Sequence, residues 1–150
     1  MKKIEILCVG KIKEKYFTES IAEYQKRLTR FCDFTIIELA DMGDNTNAIV
    51  KESDSILAKL NGYTILLDLS GELITSEHLA QTLDTAFVRG NAKVQFIIGG
   101  SHGVDARVKA AVDKRIAFGR ITYPHQLMRV CLTEQVYRAL TISAGTPYHK

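Results

Sequence analysis

Four short apolar runs govern what this chain can fold into. KIEILCV (3–9), DFTIIEL (33–39), YTILLDL (63–69) and KVQFII (93–98) are each followed by a longer segment with apolar residues at helical spacing. Runs this short, rich in Ile, Leu and Val, read as strands. KIEILCV alternates poorly between apolar and polar, as a strand buried on both faces would, and YTILLDL reads as another buried strand. A chain that returns to a strand after each amphipathic helix builds a mainly parallel sheet flanked by helices, so the fold class is α/β.

The intervening segments fit that frame. EKYFTESIAEYQKRLTRF places Tyr16, Phe17, Ile21, Tyr24 and Leu28 at helical spacing. ADMGDNTN reads as a turn or short loop, and AIVKESDSILAKL as a helix closed by Asn61-Gly62. SGELIT reads as a turn into the helix SEHLAQTLDTAFVRG, capped by Thr75 or Ser76 and ended by Gly90. VDARVKAAVDKR is predicted to be a helix, IAFGRITYP a short strand or extended loop, and PHQLMRVCLTEQVYRALTISAG the longest helix, with Gly145 at its end. No repeat, linker or low-complexity stretch divides the chain, so residues 1–150 are expected to form one domain.

Several classes are excluded or disfavoured. No apolar run approaches the roughly 20 residues of a membrane span. The start MKKIEILCVG mimics a signal peptide only weakly, because it is short and Glu5 interrupts it. It reads as the first strand, which places the protein in the cytoplasm. Cys8, Cys32 and Cys131 are odd in number and apolar in context, so they are expected to be reduced core residues. The first strand is followed by a single glycine, which fails the dinucleotide fingerprint, and no phosphate-cradling loop is present. No Cys/His spacing suggests a zinc site.

Charge is uneven along the chain. Residues 1–88 carry 10 Lys/Arg and 14 Asp/Glu, whereas residues 89–150 carry 10 and 3. A basic half points either to a polyanionic partner, nucleic acid being the commonest, or to an uneven surface without one.

The candidate site begins at GGSHG, which ends the fourth apolar run. It lies at the carboxyl end of a strand, where α/β sheets bind ligands. It is either a tight turn or a backbone-lined place for a ligand to lie. LLDLSG and FGRITYPHQ also lie at strand ends, and three such loops would form a pocket for something flat and mostly uncharged, such as adenine. The last helix adds His125, Arg129, Glu134 and Arg138. Arg129 and Arg138, nine apart, are read as offset by about a quarter turn and able to face one groove. Glu134 and Arg138 have the spacing of an ordinary helix-surface pair. Arg129, among apolar neighbours, is expected to have a partner. The ending PYHK is either a dispensable tail or a Tyr-His-Lys group that stacks on a base and offers an imidazole.

Taken together, VGKIKEKYF, LLDLSGELITSEHLAQTL, FIIGGSHGV, TYPHQLMRVCLTEQVYRA and PYHK resemble the RlmH family, SPOUT-class methyltransferases of bacterial large-subunit ribosomal RNA. The resemblance covers the whole chain, and the combination of motifs is far more specific than any one of them. The segment ADMGDNTN looks shorter than usual for that family, and His102 is assigned no role. The resemblance implies a SPOUT α/β-knot, with the C-terminal part threaded into a trefoil knot, and a homodimer. It implies S-adenosyl-L-methionine as methyl donor, contacted by Leu67, Gly99 and the loop Phe118, Gly119, Arg120, Ile121, Thr122 and Tyr123. The implied reaction is methylation of N3 of a pseudouridine in the helix 69 loop of 23S ribosomal RNA, on the assembled 70S ribosome, with no metal and no membrane partner. His149 and His125 are the candidates to take the imide proton. The tail is expected to lie over the active site, Tyr148 stacking on the base and Arg129, Arg138 and Lys150 holding phosphates.

Overall fold

A computed structural model describes residues 1–150. Five strands, β1 (Lys3–Val9), β2 (Asp33–Leu39), β3 (Tyr63–Leu73), β4 (Lys93–Ile98) and β5 (Lys114–Ala117), form one sheet in the order β2-β1-β4-β3-β5. Every pairing is parallel. Five helices connect and follow them: α1 (Lys15–Leu28), α2 (Ala48–Lys59), α3 (Ser76–Arg89), α4 (Ala106–Ala111) and α5 (His125–Ala144). No helix is long and apolar enough to cross a membrane.

The central strands β1 and β4 are buried on both faces, as their unbroken apolar character requires, whereas the edge strand β2 has no fully buried residue. Ile4, Ile6 and Cys8 of β1 and Val94, Phe96 and Ile98 of β4 join the larger core, with Leu28 of α1, Leu83 and Phe87 of α3, and Leu132 and Val136 of α5. The intervening residues Leu7, Val9 and Ile97 face the other way and meet Ile56 of α2 and Val108 of α4. The result is three layers, with α1, α3 and α5 on one face and α2 and α4 on the other. Because all strands run in one direction, their carboxyl ends share an edge, and the five loops leaving that edge lie together.

Two elements differ from the sequence reading. The helix expected over residues 104–115 stops at Ala111. Asp113 then accepts from the Thr64 backbone N–H at 2.8 Å and from its hydroxyl at 3.1 Å, while its own N–H donates to Thr64 Oγ1 at 3.0 Å. This clamp holds the chain beside β3, so Lys114–Ala117 pairs as a strand instead of continuing the helix. SGEL, read as part of a turn, belongs to β3. A bulge between Leu67 and Glu72 sets both residues opposite Ile116, so β5 pairs on either side of it. The α3 cap is Thr75, whose hydroxyl accepts from the His78 N–H at 3.1 Å.

Gly90 ends α3 for a reason the sequence did not reveal. Its own φ is −91°, and the left-handed residues are the next two, Asn91 and Ala92. A Cβ on Gly90 would run into the Lys93 carbonyl oxygen and the Tyr63 backbone nitrogen. The glycine therefore permits close approach of three backbone segments. Gly90→Ala is expected to lower unfolding stability by about 2–3 kcal/mol, measured by urea denaturation, because backbone rather than a flexible side chain must move.

All three cysteines are free thiols. Burial pushes Cys8 up to about 12 and Cys32 up to about 11, from an ordinary 9.0. The folded state thus holds these protons more tightly than the unfolded chain does. Their contribution is intact below about pH 9 and is lost as pH rises toward the folded values. Unfolding free energy measured from pH 8 to 11 should fall with pH, and Cys8→Ala should flatten that limb.

Candidate active site

The carboxyl edge of the sheet carries a cavity of about 760 Å³. Three loops line it: the end of β3 (Leu66, Leu67, Asp68, Leu69), the turn after β4 (Gly99–Val104), and the segment from β5 into α5 (Phe118, Gly119, Ile121–His125). Its size is that of a site for one small organic ligand. The turn after β4 is folded tightly on itself. A Cβ on Gly99 would lie 2.9 Å from Val104 Cγ1 and 3.0 Å from the Gly103 carbonyl carbon, and one on Gly100 2.7 Å from Glu52 Oε1. Glu52 is buried and accepts from the Met42 N–H at 2.9 Å. The bare GGSHG run therefore offers main-chain donors and acceptors to the cavity, with apolar walls from Leu67, Ile98, Ile116 and Phe118.

Of the residues expected to hold a donor, Leu67, Gly99, Phe118, Gly119, Ile121, Thr122 and Tyr123 line this cavity. Arg120 does not. Its guanidinium donates to the carbonyl oxygens of Leu69 and Gly71, which ties the β5–α5 segment to the bulged end of β3. Arg120 thus shapes the wall by fixing two loops to each other.

The residues expected to carry chemistry fall into three places. His125, the first residue of α5, lines the cavity, and no group of the chain hydrogen-bonds to its ring. Its Nε2 lies 3.7 Å from where a Cβ on Gly10 would sit. Arg129 lies beneath, 1% exposed. Its Nη1 donates to Glu38 Oε2 at 2.7 Å and its Nη2 to the Gly10 carbonyl at 3.0 Å, leaving Nε without a partner. The expectation of a partner is met, but a buried, paired guanidinium cannot hold a phosphate. The pairing of Arg129 with Arg138 in one groove is also corrected. Nine residues are two and a half turns at about 3.6 per turn, so the two side chains leave α5 on opposite sides.

Arg138 is found with the tail. It pairs with Glu134 at 2.8 Å, the expected four-residue pair, and stacks over the Tyr148 ring at 4.8 Å. Tyr148 donates to Glu134 Oε2 at 2.7 Å and packs edge-on against Tyr137. Burial, followed by that hydrogen bond, raises the Tyr148 phenol, which therefore remains a donor. His149 lies between Arg138 (Nη1 to Nδ1, 3.1 Å) and Glu77 (Nε2 to Oε1, 2.6 Å). A guanidinium only donates, so Nδ1 must accept and Nε2 carries the proton that goes to Glu77. The His149 bond holds the Glu77 carboxyl below its usual range. In this arrangement neither nitrogen of His149 is free to take a proton.

The tail lines no part of the larger cavity. A relay joins the two places: Gln135 donates to Glu134 at 2.9 Å and accepts from the Ser76 hydroxyl at 2.7 Å. Ser76 and Gln135 border a second cavity of about 300 Å³, with Thr75, Leu79 and Cys131, which shares Phe118 and Tyr123 with the first. Sequence reasoning missed Glu38, Gly10, Glu52 and Glu77. An arginine among apolar residues signalled that a partner existed, but Glu38 is 91 positions away and nothing local marked it.

A parallel sheet with a glycine-lined cavity at its carboxyl edge and a long terminal helix behind it defines an α/β ligand-binding enzyme scaffold. The profile of a family described as "Predicted SPOUT methyltransferase" matches residues 1–149, and the chain belongs to the SPOUT methyltransferases. Relatives span its full length. A protein of Streptococcus uberis named ribosomal RNA large subunit methyltransferase H is 48% identical over 158 aligned positions, covering 99% of each chain. Proteins of the same name from Streptococcus pyogenes serotypes M5 and M49 are 43% and 42% identical with the same coverage.

Arg129 is the buried member of the Arg129–Glu38 pair, and truncating it empties a buried volume and leaves the Gly10 carbonyl without its donor. Arg129→Ala is expected to cost about 2–4 kcal/mol of stability. A double-mutant cycle with Glu38→Gln should show coupling of about 1–3 kcal/mol in thermal or denaturant melts. Additive effects would mean that the pair does not act as a unit.

Proposed function

We propose that residues 1–150 act as one S-adenosylmethionine-dependent methyltransferase of large-subunit ribosomal RNA. On this reading it methylates N3 of a pseudouridine in the helix 69 loop, on the assembled ribosome in the cytoplasm. The observation that carries the reading is the glycine-bare cavity at the strand ends, in a chain that belongs to the SPOUT methyltransferases. Names of full-length relatives support ribosomal RNA as the substrate.

The residues present fit the donor. Adenosine is flat, uncharged and rich in hydrogen-bonding edges, which suits a wall of main-chain amides and carbonyls between apolar side chains. Leu67, Gly99, Phe118, Gly119, Ile121, Thr122 and Tyr123 would hold it, with Arg120 fixing the loops that carry them. The donor supplies an electrophilic methyl group. The chain's work is then to align donor and acceptor, worth about 7–11 kcal/mol in well-oriented reactions, and to remove the imide proton. His125 takes that proton: it borders the cavity with an unengaged ring. A positioned base contributes about 100- to 10,000-fold. The tail residues Tyr148, His149 and Lys150, with Arg138, order the target base, and the relay through Gln135 and Ser76 connects them to the cavity wall.

The knot and the homodimer belong to the same proposal. α5 follows β5, at one edge of the sheet, and packs against α1 and α3, and the threaded C-terminal segment is inferred from membership of the SPOUT methyltransferases. Leu69, Ile121 and Tyr123 are exposed at the cavity edge, Ile121 by 75%, which supports a second copy covering that edge.

The test is transfer of labelled methyl from S-adenosylmethionine to ribosomes lacking the modification, compared with free large subunits and naked RNA, and mapping of the labelled nucleotide. Label at the helix 69 pseudouridine in whole ribosomes is the expected result. Donor binding without label in any sample would move the target to another RNA, and absence of donor binding would favour a non-enzymatic RNA-binding role. Gly99→Ala should weaken donor binding at least tenfold by calorimetry. His125→Ala should lower kcat by about 100-fold or more. Deletion of residues 148–150 should lower kcat with donor affinity unchanged, and an unchanged rate would remove the tail from the mechanism.

A further inference from the structure

The segment KIKEKY (Lys11–Tyr16), which leads from β1 into the first turn of α1, is part of the motif set but has no place in the mechanism so far. Its backbone is pinned. The Gly10 carbonyl accepts from Arg129 at 3.0 Å, the Ile12 N–H donates to Glu38 at 3.0 Å, and the Lys13 N–H donates to Gln126 at 3.4 Å. Two of these anchors lie in the first turns of α5, next to His125 at the cavity. Lys11, Lys13, Lys15 and Tyr16 are nevertheless exposed, Tyr16 by 62%.

What distinguishes these lysines is their place beside the first turn of α5 and the cavity, since many other surface cations of the chain also lack an acid partner. Six of the ten cations of residues 89–150 are set against acids of the chain: Lys93 on Glu5, Arg107 on Asp54 and Asp105, Lys114 on Glu72, Arg115 on Asp68, Arg129 on Glu38 and Arg138 on Glu134. The basic excess seen in the sequence is therefore partly neutralised by folding. Lys11 and Lys13 have no carboxylate within 4.0 Å, and Lys15 has only the exposed Glu19 at 3.7 Å. Lys109, also without a carboxylate partner, lines the cavity itself. The neighbouring β2–α2 loop is acidic, with Asp41 beside Gly10 and Asp44 on His102. The free positive charge at this edge is thus concentrated on the α1 side.

We propose that Lys11, Lys13 and Tyr16 form a preset grip on the RNA strand that enters the site. This rests on the RNA-methylating function proposed above and assigns it a surface. The two lysines contact phosphates of a single-stranded or loop segment, and Tyr16 offers its face to a base. Pinning the backbone while freeing the side chains lets the lysines meet phosphates without first ordering the loop. The acidic β2–α2 side fixes the direction from which the polyanion comes.

The test uses the full chain carrying Lys11→Gln and Lys13→Gln together, and separately Tyr16→Ala. Binding of a stem-loop RNA with the helix 69 sequence is measured at several potassium chloride concentrations, beside methyl-transfer kinetics on unmodified ribosomes. Loss of two phosphate contacts should make the slope of log affinity against log salt shallower by about 1.4 and weaken binding about tenfold or more at low salt. KM should rise while kcat at saturating RNA, donor affinity and melting temperature stay at parental values. Lys11→Arg with Lys13→Arg should restore the slope, and Tyr16→Ala should weaken binding with the slope unchanged. A double glutamine variant with parental affinity and slope would overturn the proposal, as would weaker binding with an unchanged slope. A parent protein that neither binds nor methylates RNA would overturn the function above and this surface with it. A parent that methylates while the variant matches it overturns the surface alone.

Discussion

The site depends on one buried guanidinium. Arg129 rises from the second turn of α5 and meets the end of β2 through Glu38 and the end of β1 through the Gly10 carbonyl. Burying a charge in this way is costly, and an apolar triad of the same volume could be as stable. What an apolar contact would lack is direction. The Arg129 bonds hold only when α5 sits at one height and one rotation against the strands. That setting places His125 at the cavity, Gln126 on the Lys13 backbone and Met128 against the core. Glu38 in turn holds the Ile12 N–H, so one carboxylate and one guanidinium fix the first loop and the last helix together.

The same helix carries a second, separate polar cluster. Glu134, Arg138, Tyr148, His149 and Glu77 are joined by bonds of 2.6 to 3.3 Å, and they engage every polar atom of the His149 ring. The tail is thereby held as an ordered part of the molecule and not as a loose end. It is also held in a tautomer unsuited to accepting a proton. A role for His149 in proton removal would require it to leave Arg138 first, whereas His125 requires no such change. Arg129 and Arg138 leave α5 on opposite sides, so the cluster at the tail and the cluster beneath His125 are separate.

The legible parts of the sequence were those set by local periodicity. Four strands and four of the five helices could be read because short apolar runs mark buried strands and a 3.6-residue repeat marks a helix face, while glycines marked the turn at the strand end. The failures share a cause. The Asp113–Thr64 clamp, the Gly90 close approach and the Arg129–Glu38 pair all depend on residues distant in sequence. No window of neighbouring residues contains them. The charge profile could not locate a surface for the same reason: it counted cations by position along the chain, while folding set several of them against distant acids. The two-arginine groove was a different kind of error, one of helix arithmetic, which an angle of about 100° per residue would have prevented.

A donor site read by backbone has a consequence for specificity. On the reading proposed here, main-chain amides and carbonyls at GGSHG would recognise the donor without committing any side chain to the target, so target choice would come from elsewhere on the scaffold. Two elements are placed to supply it: the Lys11–Tyr16 segment and the Tyr148–Lys150 tail. Both are fastened to α5, the first around Gln126 and Arg129, the second at Glu134 and Arg138. Nine residues of helix rise about 13–14 Å. On the reading proposed here, α5 is therefore a ruler. It sets the distance between the strand that is gripped and the base that is ordered, with the cavity beside its first turn. A chain that moved either anchor by one residue would swing it by about 100° and break that spacing, even with the donor cavity left intact.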